Sequence, residues 1–238
     1  MSFPSLVLTN SRSIKNKIDE VHHCVTKLKP DLAVFCETWI DDETDNAFLE
    51  IPDYQILRKD RSQHGGGILT YCHQSLTIAK CSCPEVIEVN DLNTEFLWFF
   101  ITSSDILVIC LYHPNWGSSP YHSKAVNALV DIVTHSRESH SAKHLLICGD
   151  FNDLGLHVNS INSLLGTESL FDFPTRSNKQ LDFVLCSRKS CFKKPRLSAP
   201  LGRSDHSVVF CPSENKPPEP KIIKIQFRKK SPSVCTAF

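Results

Sequence analysis

Residues 145–152 read Leu145-Leu146-Ile147-Cys148-Gly149-Asp150-Phe151-Asn152: four apolar side chains, a glycine, then an acid and an amide two residues apart. A short continuous apolar run, rather than an alternating one, predicts a strand covered on both faces. The pattern recurs along the chain. Leu6-Val7-Leu8-Thr9 ends in Asn10, and Leu32-Ala33-Val34-Phe35-Cys36 ends in Glu37. Val108-Ile109-Cys110-Leu111 ends in Tyr112, and Leu201 to Ser204 leads to Asp205-His206 just ahead of Val208-Val209-Phe210. Residues projecting from strand ends line one rim of a sheet, where ligands bind. Singly, each has a plainer role: Asn10 and Asp150 as turn caps, Glu37 in solvent, His206 as a satisfied structural histidine. Five such strand ends favour a shared site.

The remaining runs complete the pattern. Strands are expected over Ser5–Thr9, Leu32–Cys36, Gly67–Cys72, Phe96–Thr102, Ile106–Tyr112, Leu145–Cys148, Leu181–Cys186 and Ser207–Cys211. Thr102-Ser103-Ser104-Asp105 reads as a hairpin loop. In 13–29, Ile14, Ile18, Val21, Val25 and Leu28 follow a helical spacing, with Ser11 or Ser13 as cap and Pro30 beyond the end. A second stripe lies in 121–137, and a shorter helix is expected at Val158–Leu165. Helices among strands predict a mixed α/β domain over residues 1–212. The segment 213–238 opens SENKPPEPK and carries six basic residues, the composition of a Pro-rich basic tail or linker.

Composition bounds the function. At 238 residues, with 41% hydrophobic and 22% charged content, the chain suits one soluble globular domain and excludes collagen and low-complexity classes. The longest apolar stretch, Phe96 to Tyr112, is broken by Thr102 to Asp105 and falls short of the about 20 apolar residues a spanning helix needs. No basic region precedes the first apolar run, so no signal peptide is read. Eleven cysteines, an odd number without a CxxC pair, argue for reduced thiols rather than disulfides or zinc. The expectation is a cytoplasmic and nuclear protein, neither secreted nor membrane-bound. The zero net charge hides an asymmetry: residues 31–53 hold eight acidic and no basic side chains, whereas 176–203 hold eight basic ones against Asp182 alone. That segregation points to an anionic ligand, and the 176–203 segment is expected to meet it.

The strand-end set suits metal-assisted phosphodiester cleavage. Mg²⁺ prefers carboxylate and amide oxygens, which Glu37, Asn10 and Asp205 can supply. Protonated His206 and the Tyr112 hydroxyl can meet charge developing on phosphate. Asp150 can take a proton from water, Asn152 can position that water, and Asp182 can hold one nitrogen of His206.

At these residues the sequence resembles the endonuclease/exonuclease/phosphatase superfamily, and within it the apurinic-type endonuclease domain of non-LTR (LINE-type) retrotransposons. The strings are Asn10-Ser11-Arg12-Ser13, Cys36-Glu37-Thr38-Trp39, Arg58-Lys59-Asp60-Arg61 with Gly65-Gly66-Gly67, Leu111-Tyr112-His113-Pro114, Gly149-Asp150-Phe151-Asn152, Pro174-Thr175-Arg176 with Leu181-Asp182, and Ser204-Asp205-His206. The resemblance runs from about residue 5 to 211. It implies a four-layer α/β sandwich of the deoxyribonuclease-I-like type, two mixed β-sheets face to face with helices outside. It also implies a nuclease dependent on Mg²⁺, with Mn²⁺ as a substitute, that nicks DNA to leave a 3′-hydroxyl for priming reverse transcription. By motif, Glu37 is the main metal ligand, assisted by Asn10. Asp150 and Asn152 handle the nucleophile or leaving group, Tyr112 and His206 the phosphate, Asp182 and Asp205 the histidine and metal. Arg12, Thr175, Arg176 and Ser204 fall in motifs that contact phosphate or DNA. The implied partners are DNA and a reverse transcriptase domain of the same element, with the chain a monomer.

Departures accompany the match. Tyr112 is followed by His113-Pro114-Asn115 where many relatives carry Arg and a second Pro. Gly65–Gly67 reads as a tight turn rather than a phosphate cradle, His64 as a loop histidine, and Trp39 and Trp116 as core residues. Two alternatives stay open: a superfamily hydrolase acting on RNA, a phosphoinositide or abasic DNA, and a catalytically silent remnant that only binds nucleic acid. With no polymerase segment following, the expected source is an excised domain, a truncated element or a host-adopted remnant.

Overall fold

Two six-stranded sheets carry the chain. The structure is a computed structural model that describes residues 3–81, 93–115, 119–140 and 142–214. The first sheet holds Leu6–Asn10 (β1), Leu32–Cys36 (β2), Tyr54–Lys59 (β3), Ile68–His73 (β4), Arg196–Ser198 (β11) and Val208–Cys211 (β12), in the order β11-β12-β1-β2-β4-β3. The second holds Ile78–Lys80 (β5), Glu95–Ile101 (β6), Ile106–Tyr112 (β7), His144–Asp150 (β8), Glu168–Ser169 (β9) and Asp182–Cys186 (β10), in the order β5-β6-β7-β8-β10-β9. Both sheets are mixed: β1–β2 and β7–β8 run parallel and the other pairs antiparallel. The helices are Ile18–Leu28 (α1), Asn46–Leu49 (α2), Ser119–His140 (α3) and Val158–Leu165 (α4).

The continuous apolar runs follow from coverage on both faces. Leu6, Leu8, Leu32 and Val34 point between the sheets, where they meet Val108, Cys110, Cys148 and Val184. Val7, Ala33 and Phe35 point outward onto Val21 and Val25 of α1. On the other side, Leu107, Ile109, Leu145 and Ile147 face Leu129, Ile132 and Val133 of α3 and Ile161 and Leu165 of α4. The result is the expected four-layer α/β sandwich. Cys36, Cys72, Cys110, Cys148, Cys186 and Cys211 are all buried and unbridged, and burial pushes the thiols of Cys36 and Cys72 well up. No described helix is long and apolar enough to cross a membrane.

Four strands escaped the sequence reading: β3, β5, β9 and β11. They are the four sheet edges. An edge strand is solvated on one flank, so Tyr54–Lys59 buries only Leu57 and Arg196–Ser198 buries nothing. The first helix also begins later than expected, at Ile18 rather than residue 13. Arg12 and Ser13 adopt positive φ of 45° and 73°. The Ser11 hydroxyl donates to the carbonyls of Cys36 and Glu37, and the Ser13 amide donates to Glu37 O at 2.7 Å. Lys17 stands at the helix cap without a side-chain bond, so neither serine serves as the cap. They stitch the β1–α1 loop to the end of β2.

Register places the functional residues at one end. Asn10 lies opposite Cys36 in the β1–β2 ladder, Tyr112 opposite Asp150 in β7–β8, and Asp150 opposite Asp182 in β8–β10. Gly149 makes this approach feasible: its φ is +155°, and a Cβ there would sit 1.8 Å from the Leu111 carbonyl oxygen. The basic 188–196 segment lies at the other end. Leu6 pairs with Cys211, the Phe3 ring meets Phe192 at 5.5 Å, and Lys193 N donates to Pro212 O. The expectation that Lys189, Lys193, Lys194 and Arg196 flank the site is thus corrected. β10 carries the chain down the sheet from Asp182 to Cys186, so these residues lie at the far end before β11 climbs back toward the site. Ser213 and Glu214 still pair with Phe192 and Cys191, and the rest of the 213–238 tail, like Trp116, lies outside the described residues.

Candidate active site

Asp150, Asp182 and His206 form the buried floor. Their ligand atoms lie within 4.8 Å of one another, the single such group among the described residues. His206 Nδ1 and Asp182 Oδ2 are 2.7 Å apart, and the two residues are 1% and 0% exposed. Burial alone would lower the imidazole pKa, but the Asp182 hydrogen bond and the charges of Asp182, Asp150 and Asp205 outweigh it and raise it above the usual histidine value. Asp182 Oδ1 is buried without a hydrogen-bond partner. Asp150 accepts from Asn10 Nδ2 at 2.8 Å and from the Asn152 amide at 3.2 Å. Burial, with the Asp182 and Glu37 charges behind it, pushes Asp150 up to about 8. Three carboxylates that repel one another, one with an unpartnered oxygen, make a donor set that a divalent cation relieves.

Glu37 sits above this floor, half-buried. Its Oε1 accepts the Tyr112 hydroxyl at 2.9 Å and its Oε2 accepts Trp39 Nε1 at 3.3 Å. Burial and the adjacent Glu37 raise the Tyr112 hydroxyl pKa, so it stays a donor. Trp39 is therefore a site residue rather than the core residue expected. Glu37, Trp39 and Asn152 all take the left-handed backbone region, at φ 51°, 54° and 44°. Non-glycine strain of this kind concentrates at functional sites.

Several expected phosphate contacts are engaged internally. The Thr175 hydroxyl accepts the amides of Leu181 and Asp182 at 3.2 and 3.1 Å, fixing the start of β10. The Ser204 hydroxyl donates to Asn10 O at 2.7 Å and accepts the His206 amide at 3.3 Å. Both residues are buried and act as positioning groups. Arg12 and Arg176 stand at the mouth, partly exposed, with Asp205 between them at 3.8 and 2.6 Å. Asp205 is thus paired with arginines rather than gathered with Asp150, Asp182 and His206. Asn152 is held by its amide, which donates to His113 O at 2.8 Å.

Sequence reasoning missed Glu95. Buried at the head of β6, it accepts the Gly67 amide at 2.6 Å and meets Arg61 at 3.2 Å, tying the glycine turn of one sheet to the other. Gly66 and Gly67 carry positive φ, and a Cβ on Gly66 would lie 2.2 Å from Glu95 Oε1. The signal available was Thr94-Glu95, polar residues opening an apolar run as Asn10 and Glu37 close theirs.

Residues 8–206 match the Endonuclease/Exonuclease/phosphatase family. No curated protein matches. Among solved structures, a 3′ phosphatase from Neisseria bound to a product DNA hairpin superposes with a TM-score of 0.70 at 15% identity, covering 89% of this chain and 100% of that one. A 3′-5′ exonuclease from Neisseria meningitidis gives 0.68 at 16% identity, covering 88% and 99%. An AP endonuclease from Leishmania major gives 0.67 at 13%, covering 87% and 86%. Their common architecture is the deoxyribonuclease-I-like sandwich.

Proposed function

Because the chain belongs to the endonuclease/exonuclease/phosphatase family, a family of divalent-metal-dependent hydrolases, we propose that it is a Mg²⁺-dependent endonuclease that nicks DNA and leaves a 3′-hydroxyl, as in target-primed retrotransposition. The observation that carries the reading is the buried Asp150–Asp182–His206 floor beneath Glu37 and Tyr112, open toward Arg12 and Arg176.

Glu37 and the Asn10 amide oxygen would hold the cation, whose contribution is Lewis-acid stabilisation of charge on the phosphate. The chain's own groups do the rest. Asp150 accepts a proton from the attacking water, and Asn152, clamped by the His113 carbonyl, orients that water. His206, kept charged by Asp182, and the Tyr112 hydroxyl donate to the phosphate oxygens as charge builds on them. Thr175 and Ser204 hold Asp182 and His206 in place. Arg12 and Arg176, oriented by Asp205, receive the flanking phosphates.

The test is a supercoiled-plasmid assay with the full chain in Mg²⁺, in Mn²⁺ and in EDTA, followed by polymerase extension from the product. Nicking in either cation, none in EDTA, and direct extension from the nick are expected. Nicking in EDTA, or ends that need repair before extension, would overturn the proposal. Release of inorganic phosphate from a 3′-phosphorylated hairpin without nicking would favour the phosphatase alternative.

A further inference from the structure

His113, the departure after Tyr112, enters a cluster that hydrolysis does not use. It leaves β7, while His122 rises from the first turns of α3 and His157 closes the turn 152–157. His122 stands between the other two, with ring centroids 5.2 Å from His113 and 5.5 Å from His157. His113 and His122 are 3% and 8% exposed, and the Nε2 atom of each is buried with no hydrogen-bond partner. Leaving a buried polar atom unpaired is unfavourable, so two in contacting rings point to a ligand.

We propose that His113, His122 and His157 form a binding site for a borderline transition cation of the zinc class, separate from the hydrolytic floor. The rings lie edge to face, at centroid separations that imidazoles sharing a cation also adopt once their nitrogens turn together. With Zn–N about 2.1 Å and the centroid about 1.1 Å beyond the nitrogen, two imidazoles at a tetrahedral angle have centroids about 5.2 Å apart. Thr94 Oγ1 lies 2.7 Å from His113 Nδ1; the tautomer that donates this N–H to Thr94 leaves the Nε2 lone pair free, the usual outer-shell support of a metal-bound histidine. Burial, with His122 and His157 alongside, drives His113 down to about 4 against the pull of Asp153, so it is neutral as a ligand must be. Three imidazoles suit zinc, not the oxygen-seeking Mg²⁺. As placed, the three rings are not gathered within 4.8 Å at their nitrogens, so capture turns the half-buried His157 and the buried His122 toward His113. The bound cation would fasten the loop whose carbonyl holds Asn152.

The experiment is titration of the reduced, chelator-stripped full chain with Co²⁺ and then Zn²⁺, read by visible absorption and dialysis. About one tight equivalent is expected, with a ligand-field band, no thiolate charge-transfer band, displacement by Zn²⁺ and none by Mg²⁺. The double variant His122→Gln/His157→Gln lacks two of the three ligands and should lose the tight equivalent. Because the variant can misfold, the wild-type chain is also followed by ring ¹⁵N resonances: Zn²⁺ should shift those of His113, His122 and His157. Retention of the equivalent by a folded double variant, shifts confined to His206, or absence of tight uptake would each overturn the proposal. None of these readouts depends on nicking, so failure here is distinct from failure of the hydrolase reading.

Discussion

Replacing Asp182 with Asn removes one charge and almost no volume beneath the phosphate site. Its Oδ2 meets His206 Nδ1 at 2.7 Å, and both residues are buried. A hydrogen bond to a charged partner contributes about 1.5–3 kcal/mol and a neutral one about 1, so Asp182→Asn withdraws roughly 1–2 kcal/mol from the imidazolium. The His206 pKa therefore falls from its raised position toward the ordinary histidine value. Single-turnover nicking near pH 8 should then drop about 10- to 100-fold, while DNA affinity changes by only a small factor. The loss should shrink near pH 6, where the imidazole is protonated either way. Stability follows the same sign. The raised pKa means that the folded chain binds this proton more tightly, so the pair stabilises fully below about pH 6.5 and the benefit fades as pH rises through the folded value. The melting-temperature deficit of the variant should therefore be larger at about pH 5.5 than at about pH 9. A rate loss equal at all pH values, or no loss near pH 8, would refute the role assigned to this pair.

Three further outcomes are expected. Gly149→Ala drives a Cβ to 1.8 Å from the Leu111 carbonyl oxygen, backbone that cannot yield, and should cost about 3 kcal/mol or more in thermal melts; a wild-type melting curve contradicts this. Thr175→Val leaves the Leu181 and Asp182 amides without their acceptor, a loss of about 1–3 kcal/mol each, and should slow nicking through misplacement of Asp182 even where the fold survives. Arg12→Ala with Arg176→Ala should flatten the log–log salt dependence of DNA binding by about 0.9 for each phosphate no longer neutralised, while Ala at Lys189, Lys193, Lys194 and Arg196 together should leave the slope unchanged.

The interior of this fold was legible because both faces of each central strand are covered. Leu32–Cys36 and Ile106–Tyr112 were read at their observed bounds, since a doubly buried strand has no polar alternation to blur it. The edges were not legible for the converse reason: Tyr54–Lys59 carries solvent-facing Gln55 and Lys59, and Arg196–Ser198 is exposed throughout. In the site, the polar residue closing each apolar run told where Asn10, Glu37, Tyr112 and Asp150 gather. What that signal could not carry is partnership. It did not show that Asp205 would be shared by two arginines, that Thr175 would spend its hydroxyl on backbone amides, or that Trp39 would turn its indole N–H to Glu37 through a left-handed backbone. The basic 176–203 segment misled because linear charge ignores direction: β10 carries the chain down the sandwich, and Lys189 to Arg196 gather at the far end beside Phe3 before β11 climbs back.

The central claim is that the strand-end cluster is a hydrolytic centre and not merely a surface that binds nucleic acid. It is tested most directly by comparing Glu37→Gln and His206→Ala with the wild-type chain, measuring DNA affinity and single-turnover plasmid nicking in Mg²⁺ on the same preparations. The predicted result is affinity within a small factor of wild type and nicking reduced by about 10²-fold or more in both variants. Near-normal nicking by either variant would contradict the account.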